Sequence, residues 1–132
     1  MATNTREKGA RRAETRDKRP QAHIKHVRIS PRKVKIVIDL IRGKNVDEAL
    51  AILQYTPKAA CPVLYKLLSS AVANAVNNKN MSEDELYVAQ AYANPGPTLK
   101  RYVARSRGSA SPMLGRTCRI TVAVDARKAK ED

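Results

Sequence analysis

Two runs of alternating side chains, Leu86–Ala93 and Ile120–Val124, stand on either side of the stretch TLKRYVARSRGSASPMLGRTCR, Thr98–Arg119. Alternation with a period of two reads as a strand. Two strands joined by a segment with no helical period lie most simply side by side in one sheet. The chain between them must then leave the sheet and return, which makes residues 96–119 a long β-hairpin. Gly108, Ser109, Ser111 and Pro112 place its turn near Ser106–Pro112. Arms of roughly ten residues at about 3.3 Å each carry the tip on the order of 30 Å from the sheet.

Such a ribbon cannot hold itself together by burial. Leu99, Tyr102, Val103, Met113 and Leu114 are its only sizeable apolar groups. A two-stranded ribbon is marginal in water even with a good apolar face. Lys100, Arg101, Arg105, Arg107, Arg116 and Arg119 add six like charges, and residues 96–124 contain no acid. Against phosphates the same charges become contacts, and arginine can pair with phosphate in bidentate fashion. The plain alternative is a solvated, disordered basic loop.

The asymmetry extends over the whole chain of 132 residues, whose 26 Lys+Arg and 12 Asp+Glu give a formal net charge of +14. Residues 1–19 hold seven cations and three acids, and residues 20–45 hold seven and one. Residues 46–95 reverse the balance, with three cations and five acids. Positive flanks around a slightly acidic, periodic middle point to a polyanionic partner, because each neutralised phosphate releases counterions.

The middle reads as helices. Gln21–Ile29 alternates in part and suggests a short strand. Ser30-Pro31 opens a helix, with serine capping the free N–H groups and proline at the first helical position. Val34, Val37, Ile38 and Ile41 form one apolar face, Arg32 projects away from it, and Lys33 and Lys35 flank it. Gly43 supplies a left-handed stop. Asn45 with Glu48 resembles a capping box for a second helix, buried on Ala49, Leu50, Ile52 and Leu53. Thr56-Pro57 opens a third helix reaching about Asn78, with Val63, Leu64, Leu67, Leu68, Ala71, Val72, Ala75 and Val76 facing inward. Pro62 inside it predicts a kinked or 3₁₀-like first turn. Residues 1–20 have almost no apolar side chains and read as a disordered basic extension. Residues 126–132 read as a charged tail. The expected fold is α+β: three helices on a small antiparallel three-stranded sheet, with one protruding hairpin, all within a single domain over 21–125.

Little in the chain suggests catalysis. There is no phosphate-binding glycine loop, GxSxG or HExxH motif. His23 and His26 lie three apart in a strand, which turns them to opposite faces and prevents chelation of one metal. Glu83, Asp84 and Glu85 read as a solvated turn. Cys61 and Cys118 have no zinc-ligand spacing. One disulfide between them is formally open, with reduced, buried thiols the expectation. Asn74, Asn77 and Asn78 could bond RNA or face water. With a charged N-terminus, no apolar leader and no membrane-length run, a cytoplasmic protein is expected, without metal or cofactor.

Four stretches in order resemble one family. RISPRKVKIVIDLIRGKNVDEALAIL (Arg28–Leu53), SSAVANA (Ser69–Ala75), LYVAQAYANPGPTLKR (Leu86–Arg101) and RTCRITVAV (Arg116–Val124) are similar to the bacterial family of large ribosomal subunit protein twenty-two. The resemblance runs from about Ala22 to Asp125. It implies an α+β body on the subunit surface and a hairpin that lines the nascent-peptide exit tunnel. It also implies contacts with large-subunit (23S) rRNA and neighbouring ribosomal proteins, a role in assembly, and proximity to the macrolide site and the nascent peptide. By position, Leu99, Lys100 and Arg101 fall on the arm where changes in that family alter macrolide response. Arg105, Ser106, Arg107, Gly108, Ser109, Ala110 and Ser111 fall at the tunnel-facing tip. Arg119 stands where the family often has His, Ser109 and Ser111 stand where charge is common, and residues 1–19 precede the family's usual start.

The function expected is therefore a structural, non-enzymatic rRNA-binding component of the ribosome. Lys25, Arg28, Arg32 and Lys33 carry the contact from the body, Lys100, Arg101, Arg105, Arg107 and Arg116 carry it from the hairpin, and Arg119 is a further rRNA-binding candidate. The rival from another class is a free architectural protein that bends DNA with a basic β-arm, which requires apolar wedges at the arm tip.

Overall fold

The structure, a computed structural model, describes residues 3–15 and 17–127. Residues 1, 2 and 16 of the basic extension and 128–132 of the charged tail lie outside the described residues. The elements run α1 (Thr3–Glu14), β1 (Gln21–Val27), α2 (Pro31–Ile41), α3 (Val46–Tyr55), α4 (Cys61–Lys79), β2 (Leu86–Pro95), β3 (Leu99–Ala104), β4 (Ala110–Gly115) and β5 (Cys118–Ala126).

The fold is α+β, as the periodicities imply. Three strands form one antiparallel sheet in the order β1-β5-β2, and β3 pairs with β4 in a separate ribbon. Helices α2, α3 and α4 cover one face of the sheet. Val34, Val37, Ile38 and Ile41 of α2 are buried, as their spacing requires. From α4, Leu64, Leu68, Ala71 and Ala75 are fully buried, and the two alanines let that helix approach β1 and β5 closely. They meet Leu86, Val88, Ile120, Val122 and Val124 of the sheet. Val76, read as inward, is 37% exposed.

Helices α2 and α3 start where the motif reading places them, after Ser30 and after Asn45. Neither Ser30 nor Asn45 makes a side-chain cap. The Ser30 carbonyl instead accepts from the Lys33 and Val34 N–H groups, and Glu48 faces Lys44 at 3.8 Å. Asn45 forms an isolated bridge with Tyr87, so its backbone is held by the sheet. Thr56 ends α3 rather than opening the next helix, its hydroxyl donating to the Ile52 carbonyl at 2.6 Å. Because α4 begins at Cys61, Pro62 sits in its first turn. A missing N–H there has no partner to lose, so no kink arises.

A fourth helix, α1, occupies part of the segment read as an unfolded tail. Glu, Lys, Ala and Arg favour helix by local propensity. All its residues from Thr5 onward are exposed, so tertiary packing does not hold it. The following turn is clasped: Arg19 grips the Asp17 carboxylate through Nε and Nη2 at 2.9 and 2.6 Å, and Nη2 reaches Gln90 Oε1 at 3.2 Å. The Arg19 guanidinium holds the Asp17 carboxyl below its ordinary value.

The free edge of β2 is sealed by the α2–α3 connector. The Gly43 N–H donates to the Val88 carbonyl, and the Val88 N–H donates to the Lys44 carbonyl, both at 2.9 Å. Arg42 Nη2 adds a bond to the Ala91 carbonyl at 2.8 Å. Covered edges of this kind do not recruit a further strand.

Candidate nucleic-acid interface

The hairpin grows directly out of the two strands it was inferred to join. The β2–β5 ladder ends at Pro95↔Cys118, and the β3–β4 ladder begins at Leu99↔Gly115. Between them the Gly96 N–H donates to the Thr117 carbonyl at 2.9 Å, which keeps the ribbon continuous. The buried Thr117 hydroxyl donates to the Pro97 carbonyl at 2.5 Å. A Cβ on residue 96 would stand 2.5 Å from that hydroxyl oxygen. Only glycine leaves room for this latch, so the hairpin root is fixed in direction by packing as well as by pairing.

Beyond the root, no residue from Leu99 to Leu114 is buried. The register Lys100↔Leu114, Arg101↔Met113 and Val103↔Ser111 assigns the faces. Paired residues share a face and successive residues alternate. Lys100 therefore projects from the face carrying Tyr102 and Leu114, and Arg101 from the face carrying Val103 and Met113. Each side of the ribbon presents one cation beside aliphatic groups. The tip is tight: Arg107 and Gly108 both take positive φ, 56° and 70°, the pair of left-handed positions that matches the twist of a hairpin. The Ser109 hydroxyl donates to the Ser106 carbonyl at 2.9 Å, and Arg105 Nε donates to Ser111 Oγ at 3.3 Å. Ala110 is the one apolar side chain between Arg105 and Ser111.

The cations inferred for the body converge on the same end of the sheet. Val27 pairs with Cys118, the first residue of β5, so Lys25 and Arg28 flank the hairpin root beside Arg116 and Arg119. Arg32 and Lys33 follow in the first turn of α2. All ten inferred contact residues are exposed, and among the described residues none carries an ion-pair partner. The acidic turn Glu83–Glu85 lies at the opposite end, where Leu86 pairs with Ala126.

Other residues fall elsewhere. His26 sits in a β-bulge between Ile24 and Val27 with φ 61°, so simple alternation from His23 does not apply to it. Among the described residues no group of three or more His, Cys, Asp or Glu could hold a metal ion. Asn74 Nδ2 donates to the Gln21 carbonyl at 3.1 Å, tying α4 to β1. Cys61 and Cys118 are buried and unpaired with each other, and burial pushes the Cys118 thiol up. Sequence reasoning missed the Gly96–Thr117 latch, whose only signal was the glycine between two prolines. It also missed Tyr92, whose place between inward Ala91 and Ala93 implied an outward ring.

An α+β body with a protruding cationic arm, and with exposed cations that have no ion-pair partner among the described residues, is the build of a protein that binds a polyanion. The family model described as Ribosomal protein L22p/L17e matches residues 22–125. Similar curated proteins carry the name Large ribosomal subunit protein uL22. That of Acetivibrio thermocellus is 59% identical over 107 residues, covering 81% of this chain and 86% of the relative. That of Clostridium acetobutylicum is 58% identical over 107 residues, covering 81% and 96%. That of Carboxydothermus hydrogenoformans is 56% identical over 108 residues, covering 82% and 96%. The chain belongs to the ribosomal protein L22p/L17e family, a family of structural ribosomal proteins and not of enzymes.

Proposed function

We propose that this protein is a structural component of the large ribosomal subunit, in the cytoplasm, and that residues 21–125 bind large-subunit rRNA as one unit. The observation that carries the reading is the hairpin: unburied from Leu99 to Leu114, cationic on both faces and at its tip, and without a carboxylate. A ribbon lying on a duplex needs charge on one side only. Charge on both sides suits a strand pair enclosed by phosphates, whose contacts position without reading sequence. On this reading Lys100, Arg101, Arg105, Arg107 and Arg116 meet the rRNA backbone within the subunit. Lys25, Arg28, Arg32, Lys33 and Arg119 meet it at the surface, beside neighbouring ribosomal proteins. The tip Arg105–Ser111 faces the nascent-peptide tunnel, near the macrolide site. A DNA-bending arm is less well supported, because Arg105–Ser109 offers no apolar wedge.

Two measurements test this. Lys100→Ala with Arg101→Ala should weaken rRNA binding and make its salt dependence shallower by about 1–2 units; an unchanged slope would mean these side chains do not meet phosphates. Deleting Leu99–Arg101 should leave the thermal transition of the body intact, allow entry into the subunit and alter macrolide sensitivity. Unaltered sensitivity in subunits that contain the deleted protein would remove the tunnel assignment.

A further inference from the structure

Three helices cover one face of the β1-β5-β2 sheet, and the register defines what the other face displays. His23, Thr121 and Tyr92 lie directly opposite one another across the three strands. One step toward the hairpin, Arg119 pairs with Asn94, with Lys25 opposite in the bulged part of β1. Residues paired in this way share a face with Cβ atoms about 5 Å apart, so each row spans roughly 10 Å. Tyr92 is 42% exposed, and His23, Lys25, Asn94 and Arg119 are exposed.

The far end of the same face is closed. Arg19 reaches to Gln90, and Ala123, which pairs with Gln90 and points outward, is only 2% exposed. The open end is therefore bounded by the Arg19–Asp17 clasp on one side and by the hairpin root on the other.

We infer that this open end of the sheet is a stacking platform for an unpaired rRNA nucleotide, with its base on Tyr92 and the adjoining phosphates on Lys25 and Arg119. The inference deepens the rRNA reading above and rests on it. An exposed aromatic ring diagonal to Arg119, with Lys25 one strand beyond and no carboxylate in either row, fits a base and its phosphates better than it fits a protein segment. Stacking on a tyrosine is tolerant of base identity, and the cations follow the backbone. The platform is about one base wide, and it adjoins the root from which the arm departs. A single strand could thus cross the sheet and continue along the hairpin.

The test uses the full chain and a large-subunit rRNA transcript. Tyr92→Ala should lower affinity about five- to tenfold, the size expected for one stacked base, with an unchanged salt slope. Tyr92→Phe should keep wild-type affinity, because the ring and not the hydroxyl does the stacking. Lys25→Ala with Arg119→Ala should make the salt slope shallower by about 1–2 units. Ultraviolet crosslinking of the assembled subunit should leave a nucleotide adduct on Tyr92. Wild-type affinity in Tyr92→Ala, or a Tyr92 crosslink to protein in place of RNA, overturns the platform. Measured alongside, the Lys100→Ala, Arg101→Ala pair separates the two readings. If it weakens binding while Tyr92→Ala does not, only the platform fails; if neither does, the rRNA reading fails with it.

Discussion

Strands β5 and β3 are built from similar residues and meet opposite fates. In β5, Ile120, Val122 and Val124 are at most 1% exposed, with α4 packed over the strand. In β3, Leu99 is 50% and Val103 37% exposed, with nothing packed over them. Both are paired along their length, so hydrogen bonding does not distinguish them. What differs is a second layer. The sheet has helices to bury its apolar face, and the ribbon has only its own two strands and surrounding charge. A hydrogen-bonded ladder exchanges bonds with water for bonds within the chain at small net gain, whereas burial of apolar surface supplies most of the stability.

The sharpest way to break this contrast is to truncate one apolar side chain on each side of it. Ile38→Ala removes a fully buried side chain and should cost about 2–5 kcal/mol in chemical denaturation. Val103→Ala should stay within about 0.5 kcal/mol. Equal losses would mean that the hairpin packs against something within the chain after all.

The boundary between the two regions is tested by Gly96→Ala. Its Cβ would collide with the Thr117 hydroxyl, which is buried and already bonded to Pro97. The body should lose about 1–3 kcal/mol, and β2 or β5 amides near the root should shift in NMR spectra. The pair Gly96→Ala, Thr117→Ala, which removes the collision, should recover part of the loss. No recovery would assign the cost to backbone conformation and not to the latch.

The smallest effect concerns Cys118, buried where the body meets the hairpin root. Burial disfavours its thiolate, so the folded value lies above that of the unfolded chain. The thiol's contribution is therefore complete below the unfolded thiol range and is lost as pH rises through the folded value. Wild-type stability measured against alkaline pH should fall slightly more steeply than that of Cys118→Ala. Parallel curves would place the thiol in contact with water.

Much of this molecule was legible in its residues. The period-3.6 face of α2, the alternation in β2 and β5 and the acid-free stretch between them depend on local spacing, which the chain carries wherever it goes. Helix starts were legible in part: α2 and α3 begin after Ser30 and Asn45 as those residue types imply, whereas Thr56 ends α3 and α4 begins only at Cys61. Tyr92 could have been read as outward from its neighbours, but not as sharing a sheet face with Lys25 and Arg119.

The sequence alone determined the element types, the apolar faces and the supply of unpaired cations, because these follow from side-chain chemistry at fixed intervals. Only the tertiary structure decided that Lys25 and Arg28, some ninety residues before Arg119, gather at the hairpin root. It also set Tyr92 and His23 in one row and closed the turn latch of Gly96 on Thr117. Those are consequences of antiparallel register, which is selected by burying one face of the sheet under three helices, and that choice is made by the whole core at once.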